Sequence, residues 1–149
     1  MVKMDKIKLS DGGIHLILKV IVDEMPLHFI LDTGASHSVM DIIWAREHLK
    51  EDEIVFTKEP AHGIGSSMEV YKAILEKMEF GDLLMKKRGV ALIDFSGINA
   101  VYKKEGYDEV QGILGGDILN DYNALIDYKK STLAFDSIKE NAFLNDHQE

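Results

Sequence analysis

Phe29-Ile30-Leu31-Asp32-Thr33-Gly34-Ala35-Ser36 is the stretch on which the reading of this 149-residue chain turns. The apolar residues run on from Leu27 and His28 as a strand, and an acid follows directly. A carboxylate at the end of a buried strand is costly unless it is hydrogen-bonded or paired. Thr33 and Gly34 come next, a hydroxyl donor and a residue that permits a tight turn and exposes backbone amides. Such a loop can hold a carboxylate at the floor of a cleft with its protonation tuned. As a bare tripeptide, Asp-Ser/Thr-Gly arises by chance in about one chain in fifteen of this length. Its surroundings must therefore carry the weight.

Upstream, the even positions Ile14, Leu16, Leu18, Val20 and Val22 are apolar, with His15, Lys19 and Asp23 among the odd ones. That period of two predicts a half-buried strand. Glu24-Met25-Pro26 predicts a turn, and Leu27 to Leu31 a second, more deeply buried strand. Downstream, Ser38 offers an N-cap with Asp41 three residues on. Ile42, Ala45 and Leu49 follow at helical spacing, predicting a helix to about Lys50. Strand signals resume at Ile54-Phe56. They continue in the alternation Met68, Val70, Ile74, Met78, Phe80, and Gly81-Asp82 turns the chain into Leu83 to Ile93. Asp94 to Glu109 lacks a clear period and reads as an inserted surface excursion with a possible short helix. Gly112-Ile113-Leu114-Gly115 tightens the pattern again. A helical turn near Asp117-Tyr122, brief strands at Ala124-Asp127 and Thr132-Phe135, and a polar tail over 136–149 complete a single mostly β domain over 1–149. One or two short helices are expected in it.

Composition narrows the function. A chain of this length can bury roughly two-thirds of its unfolded surface and needs no staple. The absence of cysteine excludes disulfide scaffolds, thiol catalysis, iron–sulfur clusters and Cys-ligated zinc. With 26 acids against 17 bases, the net charge of −9 argues against nucleic-acid backbone binding. Lys86-Lys87-Arg88 reads as a solvated strand end. No apolar run reaches the length of a membrane span. Met1 to Asp11 is charged throughout and lacks the apolar stretch of a signal peptide, so a cytoplasmic protein without membrane partners is expected. The six histidines show no two-ligand spacing, and neither metal nor cofactor is expected. His37 and His62 are candidates for lining a pocket, or are simply solvated. Asp117 and Asp121 sit four apart on a helical turn, where like charges on an exposed face are commonly just solvated. No serine has a Gly-x-Ser-x-Gly context, and Trp44 and the methionines read as core.

Three segments in order carry a resemblance. They are the apolar strand into Asp32-Thr33-Gly34-Ala35-Ser36, Gly63-Ile64-Gly65 between Phe56 and Tyr71, and Ile113-Leu114-Gly115 before a short helix. Over about residues 14–135 the chain resembles the retropepsin-like aspartic proteases, and most of all their cellular and bacterial gag-like relatives. On its own, Gly63-Ile64-Gly65 is also readable as an ordinary Gly-rich hairpin. The resemblance implies a closed-barrel fold of mostly β structure that works as a homodimer. It implies Asp32, Thr33 and Gly34 as catalytic residues, and Ile113, Leu114 and Gly115 as the structural signature behind them. Ala35, Ser36 and His37, together with Gly63, Ile64, Gly65 and Ser66 of a flap, would then contact an extended peptide substrate. One chain supplies one Asp-Thr-Gly, so a second subunit must supply the second carboxylate.

Retroviral members commonly carry an Arg after the Gly of the apolar-apolar-Gly signature, paired to an acid two positions after the active-site Gly. Here those positions are Gly116 and Ser36, and both partners of the pair are missing together. An alternative reading follows, a catalytically silent dimeric module that keeps the fold and binds peptides.

Overall fold

Burial of alternate side chains dictates most of this architecture. The computed structural model describes residues 1–60 and 67–136. Its elements are β1 (Val2–Lys8), β2 (Ile14–Val22), β3 (Met25–Leu31), β4 (Val39–Asp41), α1 (Ile42–His48), a 3-10 turn (Glu51–Glu53), β5 (Ile54–Pro60), β6 (Ser67–Phe80), β7 (Leu83–Ile93), α2 (Ser96–Lys104), β8 (Gly112–Leu114), α3 (Gly116–Asp121), β9 (Leu125–Asp127) and β10 (Thr132–Ala134). Strands β6, β7, β4, β8, β3 and β2 are neighbours in that order, and β2 pairs back to β6. That ring is a closed six-stranded barrel, in keeping with the expected mostly β fold. β5 extends it from β6, and β1, β10 and β9 extend it from β2.

The even-numbered residues of β2 behave as their period requires from Leu16 onward: Leu16, Leu18, Val20 and Val22 are buried in the barrel core with Phe29, Met40, Leu75, Met78, Phe80 and Leu114, whereas Ile14 at the start of the strand is exposed. The odd face is not solvent. Ile17 joins Leu9, Phe95, Tyr102 and Val110 in a second core, with Ile30, Val39 and Ile113 packed against it. The supposed surface excursion is thus the lid of that core. α2 brings in Tyr102, whose hydroxyl meets His15 Nδ1 at 2.6 Å, and burial pushes its pKa up to about 12.

Four expectations need correction. The hairpin turns at Asp23-Glu24, both with positive φ, because β2 and β3 pair through to Val22 and Met25 with a two-residue loop. β3 is less buried than β2: Leu27 and Phe29 are buried in the barrel core, while Met25 and Leu31 only partly bury against it. Ser38 is not a helix cap: β4 intervenes, and Asp41 caps α1 by accepting from the Ile43 N–H at 3.2 Å. The described residues hold three short α-helices rather than one or two, besides the 3-10 turn. β1 was hidden by its charge, although Val2 and Met4 alternate inward. Trp44 and several methionines are core residues, as expected. The expected polar tail lies outside the described residues from 137 onward.

β8 packs against its neighbours with no spare volume. Gly112 stands opposite Phe29, and a Cβ there would come within 2.4 Å of the Phe29 ring. Gly112→Ala should therefore destabilise the fold by about 1–3 kcal/mol through overpacking. A chemical-denaturation midpoint equal to the wild type would contradict this packing.

Candidate active site

The site is built by a crossing of strands. β3 and β4 are consecutive in sequence but not neighbours in the sheet, because β8 lies between them, parallel to β3 and antiparallel to β4. The connecting loop must pass over the end of β8. Ile113 and Leu114 point to opposite faces there, one to each core. Gly115 then lies directly beneath the loop. A Cβ on it would come within 2.8 Å of the Ala35 carbonyl oxygen and 3.0 Å of the His37 backbone. Glycine is required by close approach, which is the physical content of the apolar-apolar-Gly pattern.

Asp32 leaves β3 with its N–H donating to the Leu114 carbonyl at 3.0 Å. A tight turn follows, in which the Ala35 N–H donates to the Asp32 carbonyl at 3.1 Å. The Gly34 N–H donates to Asp32 Oδ1 at 2.9 Å, fixing the carboxylate plane. Among the described residues Oδ2 accepts no hydrogen bond, and the side chain is exposed. The loop therefore presents an oriented carboxylate with one oxygen open. Thr33, Gly34, Ser36 and His37 are exposed around it, and Ala35 is half-buried.

Asp32 and Thr33 border a groove of about 400 Å³ with Leu16, Ile30, Leu31, Ile98, Ile113 and Tyr128 in its walls. Thr33 also borders a second groove of about 450 Å³, walled by α3 and β9 through Leu119, Asn120, Asn123 and Ile126. Gly63, Ile64, Gly65, Ser66 and His62 lie outside the described residues. Among the described residues no cluster of His, Asp and Glu is arranged to hold a metal ion.

The loop is clamped from below by residues to which the sequence reading gives other roles. The Gly116 N–H donates to the Ala35 carbonyl at 2.7 Å, and the Gly115 N–H to Ser38 Oγ at 2.9 Å. Ser38 is buried, and both its N–H and its hydroxyl donate to Asp117, at 3.0 and 2.7 Å. Arg88 reaches Asp117 at 3.5 Å and Asp121 at 3.8 Å. Two readings are thereby corrected. Asp117 is a structural acceptor rather than a solvated charge, and Arg88 is an ion-pair partner rather than part of a solvated strand end. Partial burial works to raise the Asp117 pKa. Hydrogen bonds from Ser38 and from the Ile118 backbone, with the Arg88 charge, outweigh it and hold the carboxyl below its ordinary value.

A family model described as aspartyl protease matches residues 18–118. The fold is similar to the crystal structure of a retropepsin-like aspartic protease from Rickettsia conorii. The TM-score is 0.52 at 18% identity, covering 87% of this chain and 89% of that one. It is also similar to the retroviral protease-like domain of Ddi1 from Leishmania major. There the TM-score is 0.58 at 17% identity, covering 82% of this chain and 88% of that one. A search of curated proteins returned no match.

Asp117→Ala would strip the buried Ser38 donors of their acceptor, a loss of about 1–3 kcal/mol. Because the folded-state pKa of Asp117 is depressed, its ionised form contributes full stability above the unfolded value near pH 4. That contribution fades as pH falls through the lower folded value. The gap between thermal melts of wild type and variant should thus narrow as pH falls below about 4. A gap unchanged by acidification would contradict the assignment.

Proposed function

Because the chain belongs to the aspartyl protease family, we propose that it is a peptidase whose reaction is carried by Asp32. The observation that supports this most is the open Oδ2 of a carboxylate whose other oxygen is fixed by the Gly34 N–H, at the edge of a groove. A lone carboxylate cannot both accept a proton from water and donate one to a peptide carbonyl. Two that approach within a few ångströms share a proton and do both. The chain has a single Asp-Thr-Gly, so the second carboxylate is Asp32 of the partner subunit in a two-fold homodimer.

The exposure of Asp32 in a single chain fits that arrangement. So does the position of Thr33 between the two grooves, one available to substrate and the other to the partner. Beside the second groove, β9 is an edge strand among those described, with Leu125 69% exposed. An exposed edge of this kind invites pairing.

In the reaction, ionised Asp32 takes a proton from water as the water oxygen bonds to the peptide carbonyl carbon. Asp32 of the partner subunit, protonated, donates to the carbonyl oxygen. The resulting tetrahedral diol collapses: Asp32 passes its proton to the departing nitrogen as the C–N bond breaks, and Asp32 of the partner subunit recovers a proton from a diol hydroxyl as the new carboxyl group forms. Both carboxylates return to sharing one. Gly34 and its neighbours Ala35, Ser36 and His37 contact an extended substrate in this reading, and Thr33 braces the loop at the subunit boundary. An extended peptide would bind mainly through strand-like main-chain hydrogen bonds.

The test is a peptide library incubated with wild type and with Asp32→Asn from acid to neutral pH, with cleavages read by mass spectrometry. Cuts made by the wild type and absent from the variant are expected. Cleavage retained by Asp32→Asn would overturn the reading. Silence from both, with a dimer present in the sample, would favour the peptide-binding module instead.

A further inference from the structure

We propose that Arg88 is a positioning residue for Asp32, acting through Asp117 and Ser38 to hold the loop that presents the carboxylate. The inference rests on the peptidase reading for its kinetic consequence, but not for its structural one. Asp117 and Asp121, one helical turn apart on α3, would repel each other if left alone. Arg88 lies across both, with Nη2 on Asp117 and Nη1 on Asp121. Asp117 Oδ2 faces the guanidinium, Oδ1 takes the Ser38 hydroxyl at 2.7 Å, and the Ser38 N–H reaches both oxygens at 3.0 Å. Ser38 Oγ in turn accepts the Gly115 N–H at 2.9 Å, beneath the loop.

The chain of contacts therefore runs from β7 through α3 to the last residue of the Asp32 loop. It bridges the segments around 38, 88 and 115. Each link is polar and only partly exposed, with 21% of the Arg88 side chain and 24% of the Asp117 side chain reachable by solvent in the ion pair. Partial exclusion of water strengthens such contacts relative to a surface pair. Arg88 is the only cation paired with either acid among the described residues. Without it, the like charges of Asp117 and Asp121 push their carboxylates apart, and Asp117 loses the fixed orientation that receives Ser38.

The reaction places strict demands on that loop. A displacement of about 1 Å in a reacting group costs on the order of a hundredfold in rate. Arg88→Leu is expected to lower kcat roughly tenfold or more with KM changed less than about twofold, because the groove walls are left in place. Arg88→Lys keeps the charge and should recover a large part of the loss. Amide hydrogen exchange gives a readout independent of turnover. In Arg88→Leu the N–H groups of Ser38, Gly115 and Gly116 should exchange faster, while those of Leu18 and Phe29 in the barrel stay protected.

Unchanged exchange at Ser38 and Gly115 would overturn the proposal, whatever the activity. Faster exchange with an undiminished kcat would overturn it as well, since loop order would then not bear on Asp32. If the wild type cleaves nothing, the peptidase reading fails by itself, and the exchange comparison alone decides whether Arg88 holds the loop.

Discussion

The placement of Asp32 depends on one crossing of the backbone, the threading of β8 between β3 and β4. The segment joining those two strands must ride over the end of β8, and the clearance is so small that only glycine fits at 115. That contact converts a flexible polar loop into a fixed one. The Asp32 N–H is tied to Leu114, the Ala35 carbonyl to Gly116, and the Ser38 hydroxyl to Gly115, all within three residues of the β8–α3 junction. Because β3 and β8 run parallel, both deliver their ends to the same rim of the barrel, where the two grooves meet at Thr33.

Electrostatics act on the same spot in two ways. The chain carries a net charge of −9, and α3 adds two carboxylates close to the loop. A buried or half-buried acid is stable only with donors or a counter-charge. Asp117 has both, from Ser38 and from Arg88. The ion pair itself does not reach the loop: it joins Asp117 of α3 to Arg88 of β7, and Ser38 carries the connection onward by hydrogen bonds.

The Asp32 loop and the β8 signature were legible because each is a short run whose chemistry is local. A carboxylate after an apolar strand, a glycine permitting the turn, and two apolar residues before a second glycine need no partner to be noticed. The turn of the hairpin β6–β7 was legible because Gly81-Asp82 marks it, but the alternation before it was only partly so: Ile74, which the pattern places on one face with Met78 and Phe80, is exposed, whereas Ala73 and Leu75 are buried. What escaped notice depends on distance. Ser38 looks like a helix cap because Asp41 follows three residues on, yet its partner is Asp117, 79 positions away. Arg88 looks like part of a basic run because Lys86 and Lys87 adjoin it, although its own side chain points to α3. α2 reads as surface because the segment from Asp94 to Glu109 lacks a clear period. Its burial is decided by the outward face of β2, β3 and β8, where Ile17, Ile30 and Ile113 need covering.

The most direct test of the shared-carboxylate reading is a subunit-mixing experiment. Wild type and Asp32→Asn are combined in varied proportion at fixed total concentration, high enough to keep the protein dimeric, and peptide cleavage is followed. If each active centre needs Asp32 from both subunits, activity falls as the square of the wild-type fraction. A fall in direct proportion to that fraction would mean that a single Asp32 suffices, and would contradict the two-carboxylate centre.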